Sequence, residues 1–339
     1  YIVDNGSAGI LSCGSVNLIV RDNVILRNNQ LHFDGIKRWE QAGIKCHQFN
    51  KGLIEHNYIA HNYDMSGIWL DNQFPDSRVT RNVIHSNGTR GIFLEMSDYD
   101  FDRLLIDNNI IFENQENAVY IHDASGATFV NNLLANTPDA PNYGQAVYIL
   151  QVSPRTKTYH HSFFNNLLIG NARNAEVNYP AGRSGPQRFD HNLYGVPSDA
   201  RAFVVNDKSD KPSPWTPLEF QALVLADLGL KTPPEGMLES DHRAALEFHQ
   251  WRRFWQRHEL DNDAHSGFAL KGRVRYHPET HVLSVDLQAD PIQVGCQAHP
   301  ALDSDFMGQK RTNHRNVPPG PFRDLRQGGG RFVIWQGLP

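Results

Sequence analysis

Two phrases one repeat apart end in different acids. Gly67-Ile-Trp-Leu runs into Asp71, and Gly91-Ile-Phe-Leu runs into Glu95. A pair of carboxyl groups is what breaking a glycosidic bond requires: one protonates the leaving oxygen, and the other attacks the anomeric carbon or activates water. Two carboxyls held close cannot both ionise freely, so the pair predicts one raised pKa and hence a general acid. His47 and His122 can donate hydrogen bonds to such acids, and Asn72 can orient a hydroxyl. Trp69, Phe93 and Tyr120 offer flat apolar surfaces for a sugar ring. Among the alternatives, Asp261-Asn-Asp-Ala-His-Ser-Gly has the outline of a calcium loop. It carries Ser266 and Gly272 where Gly and Glu are required, and no zinc spacing of His and Cys occurs, so no metal is expected.

These side chains can meet only if the repeat folds as stacked coils. The phrase Asn-x-(Ile/Leu)-x-x-Asn recurs from Asn23, Asn57, Asn82, Asn109, Asn131 and Asn166, with a fading copy at Asn192. A second phrase starts at Gly43, Gly67, Gly91, Ala118 and Ala146, in steps of 24, 24, 27 and 28 residues. Short β-branched strands separated by Asn corners at that period fit neither a leucine-rich repeat nor a propeller blade. They predict an all-β fold, a right-handed parallel β-helix, with the corner asparagines stacked in a ladder of amides.

A strand's period of two then sorts the residues. Ile44, Ile68, Ile92, Val119 and Val147 face inward, as do Cys46, Leu70, Leu94, Ile121 and Ile149. Facing outward are a column of Lys45, Trp69, Phe93, Tyr120 and Tyr148, and a column of His47, Asp71, Glu95, His122 and Leu150. Parallel strands lie about 4.8 Å apart, which sets the Asp71 and Glu95 carboxyls roughly 5 Å from each other. That is the separation of retaining glycosidases, about 5–5.5 Å, and too short for the water an inverting enzyme needs. Like charges stacked on a sheet destabilise it, so the placement points to function. The spacing does not say which acid plays which part.

The coils fade after Val196, and residues 1–198 read as the β-helix core, followed by a C-terminal helical and β-rich capping region over 199–339. Thr216-Pro-Leu-Glu predicts a capped helix start. From Ser240, a helix is expected to place Ala244, Phe248, Trp251 and Trp255 on one face, packing against the solenoid. Arg273 to Leu287 predicts a hairpin around Pro278 and Glu279, and the Pro/Gly-rich tail ends in a strand. The net charge of −5 gives no field that favours nucleic acid, and no apolar run is long enough for a membrane helix. Three cysteines do not make a disulfide framework. No signal peptide opens the chain at Tyr1, and the compartment stays open. Residues 1–40 enter coil-like sequence without a cap, so a missing N-terminal segment or a homo-oligomer is expected to cover the first coil.

The phrases GIWLD, RVTRNVIHSN, GIFLE and LLIDNNIIFEN resemble the β-helix core of glycoside hydrolase family 120, the β-xylosidases, over roughly residues 40–175. The resemblance implies that Asp71 is the nucleophile and Glu95 the acid/base. The expected protein is a retaining exo-glycoside hydrolase acting on xylo-oligosaccharides by double displacement and needing no cofactor. Trp69, Phe93 and Tyr120 would contact sugar, while His47, Asn72 and His122 orient hydroxyls or acids. A polysaccharide lyase and a non-catalytic carbohydrate-binding solenoid are the alternatives. A lyase needs a cation near the uronate, and Lys45 is the only one in the outward columns.

Overall fold

The computed structural model describes residues 1–33, 40–97, 103–138, 144–207, 213–269, 271–288, 290–300, 302, 304–311 and 317–336. Each coil lays down three strands, as in Ser66–Asp71, Arg78–Thr80 and Val83–His85. Stacking turns them into three parallel sheets. The front sheet runs from Ile10–Val16 through Ala42–Asn50, Ser66–Asp71, Ile92–Glu95, Val119–His122, Gln145–Leu150 and Arg173–Asn178 to Phe203–Asn206. The inward columns form the core: Ile68, Leu70, Ile92, Leu94, Val119 and Ile121 are all fully buried.

The expected ladder is present and it is double. Asparagine Nδ2 donates to the next coil's Oδ1 from Asn23 to Asn57 (3.1 Å), Asn82 (2.9 Å), Asn109 (3.0 Å), Asn132 (3.0 Å), Asn166 (3.0 Å) and Asn192 (3.1 Å). A second ladder links Asn5, Asn28, Asn62, Asn87 and Asn114. The rung in the fifth copy is Asn132, not Asn131. Asn131 instead takes the left-handed backbone (φ 56°) that turns the corner, and Leu133 pairs with Ile110 in register.

Ile2–Val3 and Ile10–Val16 pair with Val24–Leu26 and Ala42–Asn50, while residues 34–39 of the first stretch lie outside the described residues. At the other end, Arg243–Leu246 runs antiparallel along Phe203–Asn206, and Leu238–Ser240 adds the edge strand beyond it. This corrects the expected helix from Ser240. Ala244 lies in a strand, because the open edge of the stack must be satisfied, and the helix is Phe248–Arg257, whose Trp251 and Trp255 are fully buried in the core. The helix Pro217–Leu228 has the capping box that Thr216 and Glu219 predict. Gly272–His277 and Val282–Leu287 form the hairpin, and Gly330–Val333 adds the third strand. No described helix is long and apolar enough to cross a membrane.

The ladder makes a quantitative expectation. Asn82→Ala removes the acceptor of Asn57 N and Nδ2 and the donor to Ile54 O and Thr80 O, all in a buried corner. It should cost about 3 kcal/mol in urea unfolding, against under about 1 kcal/mol for Asn23→Ala at the partly exposed first rungs.

Candidate active site

In three consecutive coils of the front sheet the residue after the strand has a left-handed backbone: Asn72 (φ 63°), Met96 (φ 58°) and Asp123 (φ 57°). That turn ends the strand, so Asp71, Glu95 and His122 are each the last residue of theirs, at the rim where the chain bends away. The columns are in register: His47 opposite Asp71, Asp71 opposite Glu95, Glu95 opposite His122.

A cleft of ≈ 240 Å³ opens at this rim, lined by Glu40, Trp69, Asp71, Asn72, Glu95, Met96 and Arg155. Of the residues expected in the site, Trp69, Asp71, Asn72 and Glu95 line it. The histidines stand behind them. His47 Nε2 lies 3.6 Å from Asp71 Oδ2 and accepts a hydrogen bond from Asn72 Nδ2. His122 Nδ1 lies 3.4 Å from Glu95 Oε1 and 3.3 Å from Asp123 Oδ2.

The aromatic column is packed, not open. Trp69 and Phe93 are 7% and 6% exposed. Their rings stack at 4.7 Å, and Tyr120 continues the row at 5.0 Å from Phe93. Lys45 Nζ sits 3.2 Å from the Trp69 ring centroid, and Arg90 lies 4.4 Å from that of Tyr120. Lys45 and Phe93 come from the strands on either side of Trp69, so both faces of the indole are engaged. What Trp69 offers the cleft is its edge, and its buried Nε1 has no hydrogen-bond partner among the described residues. Phe93 and Tyr120 support that wall from behind and do not line the cleft.

Lys45 was visible in the sequence only as a cation in the aromatic column. Its long side chain reaches diagonally to the next coil, where Nζ donates to Asp71 Oδ2 at 2.9 Å. Both side chains are withdrawn from water, at 0% and 10% exposure. Burial pushes the Asp71 carboxyl above its usual range, and the nearby Glu95 charge adds to this, while Lys45 and His47 oppose it. The expected raised carboxyl of the pair is therefore Asp71. Its second oxygen, Oδ1, is buried and accepts no hydrogen bond. Glu40, Met96 and Arg155 were not anticipated at all. Arg155 arrives from a loop three coils on, which no local pattern announces.

Among the described residues, two groups have the donors and proximity a cation would need, Glu40–His47–Asp71 and Asp190–His191–His265. In the first, the Lys45 ammonium already supplies the positive charge at Asp71.

Residues 1–174 match the family described as right handed beta helix region. That match is to the repeat and not to a particular glycoside hydrolase family. No curated protein matches the chain. Among solved structures, the periplasmic alginate epimerase AlgG is similar at 17% identity and a TM-score of 0.37, over 55% of this chain and 40% of that one. The A-module of Azotobacter vinelandii mannuronan C-5 epimerase AlgE4 is similar at 16% identity and a TM-score of 0.37, over 53% of this chain and 52% of that one. The chain thus spans about half the length of these structures or less.

The ion pair can be tested through stability. With the Asp71 carboxyl raised in the folded chain, its contribution to stability falls as pH climbs from 3.8 through the raised value. Lys45→Met removes the opposing ammonium and extends that fall to higher pH. The variant should be about 3–5 kcal/mol less stable than the parent at pH 7, with the gap narrowing toward pH 4 in urea titrations. An equal deficit at both pH values would contradict the pairing.

Proposed function

This chain belongs to the right-handed β-helix family, and we propose that on that frame it is a carbohydrate-active enzyme, a retaining glycoside hydrolase. The observation that carries this reading is the in-register stacking of Asp71 on Glu95 at the edge of a cleft. Strand neighbours about 4.8 Å apart support a carboxyl spacing near that of double displacement, shorter than an inverting water requires. Asp71 takes the nucleophile's part from the resemblance to family 120, even though the raised carboxyl that the pair predicts for a general acid is its own. Lys45 holds Oδ2 and favours the anion. Glu95, more exposed and backed by His122, protonates the leaving oxygen and then takes a proton from water as the glycosyl–Asp71 ester is cleaved. The small cleft suits one terminal sugar, which favours exo action, and the resemblance to family 120 favours β-xylosides.

A lyase is the second reading, because Arg155 brings an exposed guanidinium to the cleft where a uronate carboxylate could meet it. Lys45 cannot serve that purpose, being fully buried and committed to Asp71. Ultraviolet absorbance from an unsaturated product would select the lyase.

Proton NMR of the first sugar released from an aryl β-xyloside should show retained configuration, and an inverted anomer would rule out the pairing. Asp71→Ala should abolish turnover, and azide should restore a product of inverted configuration. Glu95→Ala should impair substrates with poor leaving groups far more than activated aryl glycosides, since only the former need protonation.

The acid limb of kcat/KM should lie above pH 3.8, because Asp71 must ionise against its burial. Lys45→Met should move that limb further up in pH.

A further inference from the structure

The residue that follows each front-sheet strand forms a column of its own: Asn72, Met96, Asp123, Gln151, Tyr179 and Asp207. Asn72 and Met96 belong to the cleft. Gln151, Tyr179 and Asp207 belong to a second cavity, of ≈ 430 Å³, on the same edge of the same sheet. Three coils separate the strand of Glu95 from that of Asn178, or roughly 14 Å.

One loop walls both cavities. After Leu150 the chain folds back over the coil of Asp123, whose buried Oδ1 accepts from Val152 N (2.6 Å), Ser153 N (2.8 Å) and Gln151 Nε2 (2.7 Å). Those bonds fix the loop so that Arg155 lines the cleft while Ser153 and Pro154 line the second cavity.

We propose that the second cavity is a binding subsite for the leaving-group end of an oligosaccharide whose terminal sugar occupies the Asp71–Glu95 cleft. The proposal rests on the hydrolase reading. Its lining has the two-sided character a sugar needs. Trp215, packed edge-on to Tyr179 at 5.3 Å, together with Pro154 and Pro214, supplies apolar surface for C–H faces. Asp207 and Arg183 supply an acceptor and a donor for hydroxyls. The cleft and the cavity lie on one sheet edge, on either side of the 151–155 loop, so a chain passing over that loop reaches both. Binding energy won remotely is then available at the reacting bond.

The test is a chain-length series. For the unmodified protein, kcat/KM should rise at least about tenfold from xylobiose to xylopentaose. Ser153→Trp, which fills the cavity from the loop, and Trp215→Ala, which removes its platform, should each flatten that rise. Both should leave an aryl β-xyloside within about twofold of the parent, since it does not reach the cavity. No length dependence in the unmodified protein would overturn the subsite, as would an equal loss on the aryl substrate in both variants. Absence of any turnover would instead sink the hydrolase reading. Calorimetric titration with xylopentaose then decides the cavity separately. Binding that Ser153→Trp abolishes supports it, and binding that is absent or indifferent to both variants overturns it.

Discussion

Everything in this protein depends on coils that stack without slipping. The double asparagine ladder sets that register, because each buried amide bonds to the amide above and to backbone of the coil below. An asparagine out of phase would leave donors and acceptors stranded in a dry corner, at a cost comparable to several surface interactions. The core reinforces the same register through aromatic stacking, as in Phe129, Phe163 and Phe189, whose rings lie 4.6 and 4.8 Å apart and nearly parallel. A one-residue slip would turn both columns inside out.

That rigidity is what sets two acids 24 residues apart in sequence side by side. The separation of Asp71 and Glu95 comes from strand spacing and not from loops, so no flexible segment has to find the geometry. The same spacing brings like charges together, and the fold answers with basic side chains from neighbouring coils. Lys45 reaches Asp71 from one side, and His122 stands by Glu95 on the other. Lys45 in turn lies over the Trp69 ring and 3.9 Å from Glu40 Oε2. The aromatic row thus supports the electrostatics of the site more than it displays itself to a ligand.

The sequence by itself determined the solenoid, its inward and outward columns, the amide ladder and the pairing of Asp71 with Glu95. All of these repeat at a fixed period, and a repeat lets one coil be read from its neighbours. The single miss inside the repeat, Asn131 for Asn132, arose where two adjacent asparagines leave the phase ambiguous until the strand pairing resolves it. Tertiary structure decided what breaks the period. The edge of the last coil turned Ala244 from helix into strand, because unpaired backbone groups outweigh a helical pattern. A side chain as long as lysine reaches across coils in a direction no register specifies, so Lys45 could be placed in its column but not against Asp71. Burial of the outward rings depends on neighbours above and below, and it was invisible in a single strand. Arg155 and the second cavity come from one loop folding back over another coil, held by the buried Asp123. Contacts of that kind depend on chain that does not repeat, and only the folded molecule contains them.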